Sequence, residues 1–117
     1  MQLNHIDLPV SELEAAADYF QLGFGFERVP APAEGMAILR GEGGFALILQ
    51  QVERAEYPAG FHIGFLQPSD AAVHAAYQRL ADAGLPLPSA PAVSYGCLSF
   101  WCRAPGGILV EVSHRPG

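Results

Sequence analysis

One pattern occurs twice along this sequence, and it constrains the fold more than any other feature. A short β-like run with a single histidine leads into an amphipathic helical segment that ends at a glycine, and a Gly-Gly turn follows some twenty residues later. The histidines, His5 and His62, precede the predicted helix N-caps by six and seven residues. Two βαβββ halves are the most economical interpretation of this repeat. Neither half can bury its sheet alone, so we expect the halves to pack side by side or to pair with another chain.

The predicted first half spans about residues 1–52. Its first strand is expected at 1–8, and residues 11–14 have the pattern of a capping box in which Ser11 is the N-cap. The following helix has the apolar spacing of one buried face and is predicted to end at Gly23. Three strands are expected after it, at about residues 24–29, 36–40 and 45–51.

The predicted second half spans about residues 61–115 and follows a polar linker at 53–60. It begins with a histidine-containing strand, and Ser69 is predicted to cap a helix that ends at Gly84. A proline-rich connection then leads to the last two strands, which are expected at about residues 95–103 and around Glu111. The 117 residues are enough for one α+β domain made of both halves.

Charge and composition exclude several classes of protein. The net charge is −6, and the basic residues are six scattered arginines with no lysine. This argues against nucleic acid and anionic membranes as partners, and the absence of lysine excludes a Schiff base or a P-loop. No apolar run is long enough to span a bilayer and no signal peptide is recognisable, so we expect a soluble cytoplasmic protein. The 50% hydrophobic composition suggests a buried subunit interface, as in a homodimer.

The last strand carries one carboxylate in apolar surroundings. Glu111 lies between Val110 and Val112, where burial is costly unless a charged or metal-bound partner meets it. The best candidates are His5 and His62, each again a single imidazole in a β-like run. Two histidines and one carboxylate on strands form the ligand set of an open divalent-metal site.

Several motifs of this sequence resemble those of the vicinal oxygen chelate superfamily, which includes glyoxalase I, extradiol dioxygenases, fosfomycin-inactivating thiol transferases and bleomycin-resistance proteins. The matching segments cover nearly the whole chain and are Leu3–Ile6, Asp18–Phe20, Phe61–Phe65, and Ser99–Trp101 through Pro105–Gly107 to Val110–Glu111. The resemblance implies that the two βαβββ halves form a curved, cup-like mixed sheet around a metal, with the helices on the outside.

Carried over residue by residue, the resemblance places His5, His62 and Glu111 on metal-ligand positions, and Glu111 is also the candidate catalytic residue. A possible fourth ligand position falls on Ile48 or Leu49, neither of which can bind a metal. A three-ligand site with open positions is therefore expected. The implied cofactor is one divalent metal, which is iron, zinc, nickel, manganese or cobalt.

The turn before the last strand decides which side chains share a face with Glu111. If Pro105–Gly107 is a three-residue loop with a left-handed glycine, Trp101 pairs with Glu111; a two-residue loop would reverse the faces. The predicted substrate-binding residues are then Trp101, Ser99 and Cys97. Cys97 and Cys102 are expected as reduced thiols on opposite faces of the strand. Arg103 and Arg40 are the candidate contacts for an anionic substrate group.

Together with these residues, the resemblance implies a metal-dependent enzyme that chelates two neighbouring oxygens of a small substrate for isomerisation, lysis or oxygenation. The alternative is a metal-free small-molecule binding protein of the bleomycin-resistance type, and a third class is a structural or dimerisation module. The sequence leaves open whether His5 joins the His62 and Glu111 of its own chain or those of a partner. The resemblance favours a site built across a homodimer.

Overall fold

The computed structural model describes residues 1–116. The chain divides into two compact units, one comprising Met1–Tyr57 with Pro105–Gly107 and the other comprising Pro58–Ala104 with the chain from Ile108. Each unit contains one four-stranded mixed sheet and one α-helix. Among the described residues, neither helix is both long and apolar enough to cross a membrane. That the two halves make a single domain stays a prediction.

The first half has the order βαβββ. Its elements are β1 (His5–Val10), α1 (Leu13–Phe24), β2 (Glu27–Val29), β3 (Met36–Arg40) and β4 (Ala46–Gln51). The strands lie in the order β1-β4-β3-β2, with β1 parallel to β4 and the other pairs antiparallel. Alternate residues such as Leu8, Leu39 and Leu49 are buried on the face that packs against α1, where Ala16 and Phe20 are fully buried.

The predicted capping box of α1 is wrong. The N-cap is Glu12, without a side-chain hydrogen bond, and the backbone N–H of Leu13 donates instead to Oε1 of Gln51 at 3.0 Å. The Nε2 of Gln51 donates to the carbonyls of Ser11 (2.9 Å) and Val52 (2.8 Å). A side chain at the end of β4 therefore takes the role that local rules assign to Ser11, because it reaches a helix N–H that has no partner within the helix.

The predicted end of α1 at Gly23 is also wrong. Gly23 is buried within the helix, which continues to Phe24. Gly25 follows in the left-handed conformation, with φ 73°, and its N–H donates to the carbonyl of Phe20. Of the two glycines near the end of the helix, Gly25 ends it because it is the one that adopts a positive φ.

The second half repeats the same order. Its elements are β5 (His62–Leu66), α2 (Asp70–Asp82), β6 (Ala92–Ser94), β7 (Cys97–Arg103) and β8 (Leu109–His114). The strands lie in the order β5-β8-β7-β6, with β5 parallel to β8. The helix packs on β7 and β8, where Tyr77 meets Phe100 edge to face with ring centroids 5.4 Å apart. The α+β class and the two βαβββ halves predicted from the sequence are confirmed.

Local signals in the second half agree better with the structure. Ser69 caps α2 as predicted, with its Oγ accepting from the N–H of Ala72 at 3.1 Å. The strand expected from Tyr95 begins at Cys97 instead, because Tyr95 (φ 51°) and Gly96 (φ 75°) form a left-handed two-residue turn. That turn joins β7 to β6, a short strand inside the predicted proline-rich connection.

Candidate metal and substrate site

The second sheet has one face toward α2 and one open face. On the helix side, Phe100, Val110 and Val112 are almost fully buried. The open face includes three rows of residues paired across β5, β8 and β7. The histidine row is His62, Leu109 and Arg103; the glutamate row is Gly64, Glu111 and Trp101; the serine row is Leu66, Ser113 and Ser99. Neighbouring rows are about 7 Å apart along the strands, so His62 and Glu111 are diagonal neighbours.

The register of the last hairpin is the one expected for a three-residue loop. The N–H of Ala104 donates to the carbonyl of Ile108 at 2.8 Å, and both Gly106 (φ 89°) and Gly107 (φ 97°) have positive φ. Trp101 consequently pairs with Glu111, which confirms that part of the sequence prediction. The open face of β7 carries Trp101, Ser99 and Cys97, all half-buried, whereas Cys102 is buried on the helix side. Both cysteines are free thiols.

His62 is held on two sides. Its Nδ1 lies 2.7 Å from the carbonyl oxygen of Gly60, and its ring meets Trp101 edge to face with centroids 4.8 Å apart. Because a carbonyl oxygen can only accept, Nδ1 carries a hydrogen, which leaves Nε2 as the ring nitrogen that could bind a metal. A backbone carbonyl that orients an imidazole in this way is the usual outer partner of a metal-binding histidine.

His5 has a similar arrangement in the first half. It is the exposed first residue of β1, and its Nδ1 lies 2.7 Å from Oδ1 of Asn4. An amide oxygen is likewise an acceptor, so Nε2 is again the free nitrogen. His5 shares a row with Ala46 and Arg40 on the open face of the first sheet, and Arg40 donates from Nη1 to the carbonyl of Gly44 at 3.2 Å.

The two registers identify which residue of the first half corresponds to Glu111. Glu111 is opposite Gly64 in the second sheet, and at the same distance from the histidine, Ile48 is opposite Asp7 in the first. The other candidate, Leu49, is buried on the helix side. The position equivalent to Glu111 is therefore the apolar Ile48. That no fourth protein ligand binds there stays a prediction.

Three residues that shape the candidate site were not predicted from the sequence. Gly60 and Asn4 supply the oxygens that orient the two histidines, and Gly64 leaves space beside the glutamate. A Cβ built at Gly64 would lie 3.7 Å from Oε1 of Glu111. Of the three, only Gly64 had a sequence signal, since a glycine inside a strand often marks a close approach.

The chemistry of these residues fits a divalent metal. Two imidazoles with Nδ1 engaged and a half-buried carboxylate are the donor types that zinc and first-row transition metals bind. Within residues 1–116, no group of three or more His, Cys, Asp and Glu side chains is close enough to hold a metal ion. The ligand set of His5, His62 and Glu111 therefore stays a prediction.

The fold and the motif positions agree with a known family. A family model described as the Glyoxalase/Bleomycin resistance protein/Dioxygenase superfamily matches residues 2–112. The chain belongs to this superfamily, and the resemblance inferred from the motifs is confirmed. No curated protein matches the sequence.

Solved structures give the same result. A possible glyoxalase from Bacillus cereus is 31% identical, with a TM-score of 0.82 over 96% of this chain and 97% of that chain. A glyoxalase/bleomycin resistance protein/dioxygenase from Nocardioides is 22% identical, with a TM-score of 0.79 over 100% of this chain and 88% of that chain. A lactoylglutathione lyase from Agrobacterium tumefaciens is 22% identical, with a TM-score of 0.76 over 97% and 92% of the two chains. The latter two likenesses show the fold alone.

Proposed function

We propose that this protein is a metal-dependent enzyme that acts on a small substrate with two neighbouring oxygens. Its single divalent metal would be held by His5, His62 and Glu111. The observation that supports this most is the hydrogen bond from Nδ1 of His62 to the carbonyl of Gly60, which leaves Nε2 available one row away from the glutamate. Trp101, Ser99 and Cys97 would line the substrate side of the site.

A bound metal in this site would supply Lewis-acid stabilisation of charge on the substrate oxygens. The protein contributes orientation and proton transfer. Glu111, which is half-buried and paired with Trp101, would hold a proton at a carboxylate oxygen. Arg103, at the end of the histidine row, is the candidate contact for an anionic group, with Arg40 as its counterpart in the first half.

The reaction type follows from the metal. Iron would favour oxygenation, whereas zinc, nickel or cobalt would favour isomerisation or lysis. We further propose a homodimer in which His5 of one chain joins the His62 and Glu111 of the other. A cytoplasmic location stays a prediction from the sequence.

Metal analysis of protein purified without chelator tests the proposal. We expect about one metal per chain in the wild type and a loss in both His5→Ala and Glu111→Ala, because each variant removes a direct ligand. His74→Ala is the matched control, since His74 is an exposed histidine of α2 outside the ligand set. A metal-free wild type whose affinity for small molecules is the same in these variants would reject the enzyme.

A metal-free binding protein is the second candidate. It is favoured by the open face itself, where the half-buried Trp101 and the 68%-exposed Leu66 offer apolar surface to a ligand without any metal. This candidate predicts that a chelator leaves ligand affinity unchanged. The metal-dependent enzyme predicts that the same treatment abolishes binding of oxygen-chelating ligands.

A further inference from the structure

Gly64 is a glycine that the chain's own structure does not require. It lies in the middle of β5 with an ordinary strand conformation, so no positive φ explains it. A Cβ at this position would come within 4 Å of a single atom, Oε1 of Glu111, at the normal contact distance of 3.7 Å. A glycine inside a strand weakens it, because the residue loses more backbone entropy and packs no side chain. The missing side chain therefore leaves space for something outside this chain.

The first half provides an internal comparison. At the equivalent register position β1 carries Asp7, whose carboxylate accepts from Nε2 of Gln50 at 3.2 Å. The βαβββ repeat thus tolerates a side chain at this point of the sheet. The fold therefore does not require a glycine at this position, and the glycine occurs only in the half that has the glutamate row.

The surroundings indicate what occupies the space. The ring of Trp101 reaches the ring of His62, with centroids 4.8 Å apart, and Oε1 of Glu111 is the atom that borders the position of a Cβ at Gly64. Along β5 the same face presents the imidazole of His62 before the glycine and the exposed Leu66 after it. The backbone of Gly64 is thus flanked by an imidazole and an aliphatic side chain, and a flat or apolar ligand group would pack well between them.

We propose that the space over Gly64 receives the body of the substrate while its oxygens face Glu111 and His62, so that the size of residue 64 determines which substrates bind. Gly64 is then a specificity-determining residue. The inference rests on the proposed function, because it takes the glutamate row as the ligand site.

Two probes with the same chelating group and different bodies test the inference. Acetohydroxamate and benzohydroxamate both present two neighbouring oxygens, but one carries a methyl group and the other a phenyl ring. Trp101 is the single tryptophan of the chain, so its fluorescence reports on ligands in the glutamate row. Titrations use wild type, Gly64→Ala and Gly64→Val, each with and without Zn²⁺. Ser94→Val is the matched control, since it adds the same side chain to the exposed edge strand β6.

We expect Gly64→Val to lower the affinity for benzohydroxamate by about tenfold or more, because the added methyl groups occupy the space of the ring. Acetohydroxamate affinity should change much less, Gly64→Ala should be intermediate, and Zn²⁺ affinity should be unchanged. Thermal melting confirms that each variant is folded, and Gly64→Ala keeps the test valid if the valine variant is not.

Failure of the proposed function gives a different result from failure of this inference. A wild type that does not bind Zn²⁺ rejects the metal enzyme, but the titrations of metal-free protein still compare the variants at position 64. Equal affinities across the series, or no Trp101 response to either probe in the wild type, would overturn the inference. It would also be overturned if Gly64→Val changed only the sedimentation of the protein, because the glycine would then accommodate another chain.

Discussion

The two halves have the same strand order and corresponding strand pairing, and their open faces agree at both ends of the histidine row but differ in the rows that follow it. In the first half the row containing His5 ends in Arg40, and in the second the row containing His62 ends in Arg103. Both histidines also direct Nδ1 to an oxygen of a nearby residue. The repeat therefore preserves an imidazole at one row of each sheet.

The next row is where the halves diverge. In the second half it reads Gly64, Glu111 and Trp101, and in the first half it reads Asp7, Ile48 and Ile38. The first half has its carboxylate, Asp7, on the edge strand β1, whereas the second half has Glu111 on the inner strand β8. Nε2 of Gln50 donates a hydrogen bond to Asp7. The same strand pairing is thus combined with different side chains in the two halves. The difference shows that the backbone repeat alone does not determine the chemistry.

The largest expected effect comes from exchanging the residues that differ. Glu111→Ile gives the second half the side chain that the first half has at this position. We expect Zn²⁺ affinity to fall by more than about 100-fold, because mutating even a residue that only hydrogen-bonds to a metal ligand typically lowers metal affinity by 10–100-fold. Isothermal titration calorimetry measures this change. Ile48→Val is the control at the equivalent position and should leave the affinity unchanged. Unaltered Zn²⁺ binding in Glu111→Ile would show that the glutamate row is not the metal site.

The two Gly-Gly turns should also respond differently. At Gly106, an added Cβ would lie 3.1 Å from Cβ of the buried Val10, in a backbone with φ 89°. At Gly44, with φ 80°, nothing lies within 4 Å of the added atom. We expect Gly106→Ala to lower the free energy of unfolding by about 2–3 kcal/mol and Gly44→Ala by about 1 kcal/mol. Both variants hold an alanine at an unfavourable positive φ, but only the alanine at 106 also clashes with a neighbouring residue. Urea denaturation compares them, and equal losses would contradict the steric argument.

The caps of the two helices offer a third comparison. Gln51→Ala removes the acceptor for the N–H of Leu13 and should cost about 2 kcal/mol of unfolding free energy, because it also leaves two carbonyls without their donor. Ser69→Ala removes one local cap of α2 and should cost about 1 kcal/mol. Ser11→Ala, which removes no cap, serves as the control. A larger loss for Ser11→Ala than for Gln51→Ala in urea denaturation would reverse the assignment.

The smallest expected effect is the pH dependence of an ion pair found in the first half. Arg28 donates to both carboxylate oxygens of Glu14, at 2.8 and 2.9 Å, and this hydrogen bonding lowers the pKa of Glu14 and raises the pKa of Arg28. A lowered folded-state pKa means that the stabilisation is present above the unfolded-state pKa and is lost as the pH falls through the folded-state value.

Denaturation midpoints measured from neutral to acidic pH test this sign. We expect Glu14→Gln to be slightly less stable than wild type at pH 7 and equal to it at the acidic end, with a smaller difference in high salt because the pair is exposed. Glu12→Gln, which changes a neighbouring carboxylate outside the pair, is the control. A difference that grows toward acidic pH would contradict the lowered pKa.

The parts of the fold that follow from local patterns were predicted well. The repeat gave both βαβββ halves, and the loop at Pro105–Gly107 gave the pairing of Trp101 with Glu111. Ser69 caps α2 because its Oγ meets an N–H only three residues away. Such contacts depend on sequence neighbours, and the sequence alone contains the information needed to place them.

The features that were not predicted from the sequence depend on contacts between distant segments or on backbone atoms. Gln51 replaces Ser11 at the start of α1 from a position 40 residues further along the chain, which no local rule detects. The carbonyl of Gly60 orients His62, and a carbonyl is present at every residue, so the sequence could not single it out. The ligand set itself stays a prediction until metal binding is measured.

The three hydrogen bonds of Gln51 also have a consequence for how the molecule opens. Two of them, to Leu13 and Ser11, join the end of β4 to the start of α1, so the first turn of the helix cannot unravel without either breaking them or detaching the strand. In native-state hydrogen exchange, amides in the first turn of α1 should therefore exchange together with those of β4. The start of α2, capped by its own Ser69, should exchange as a separate and less protected unit.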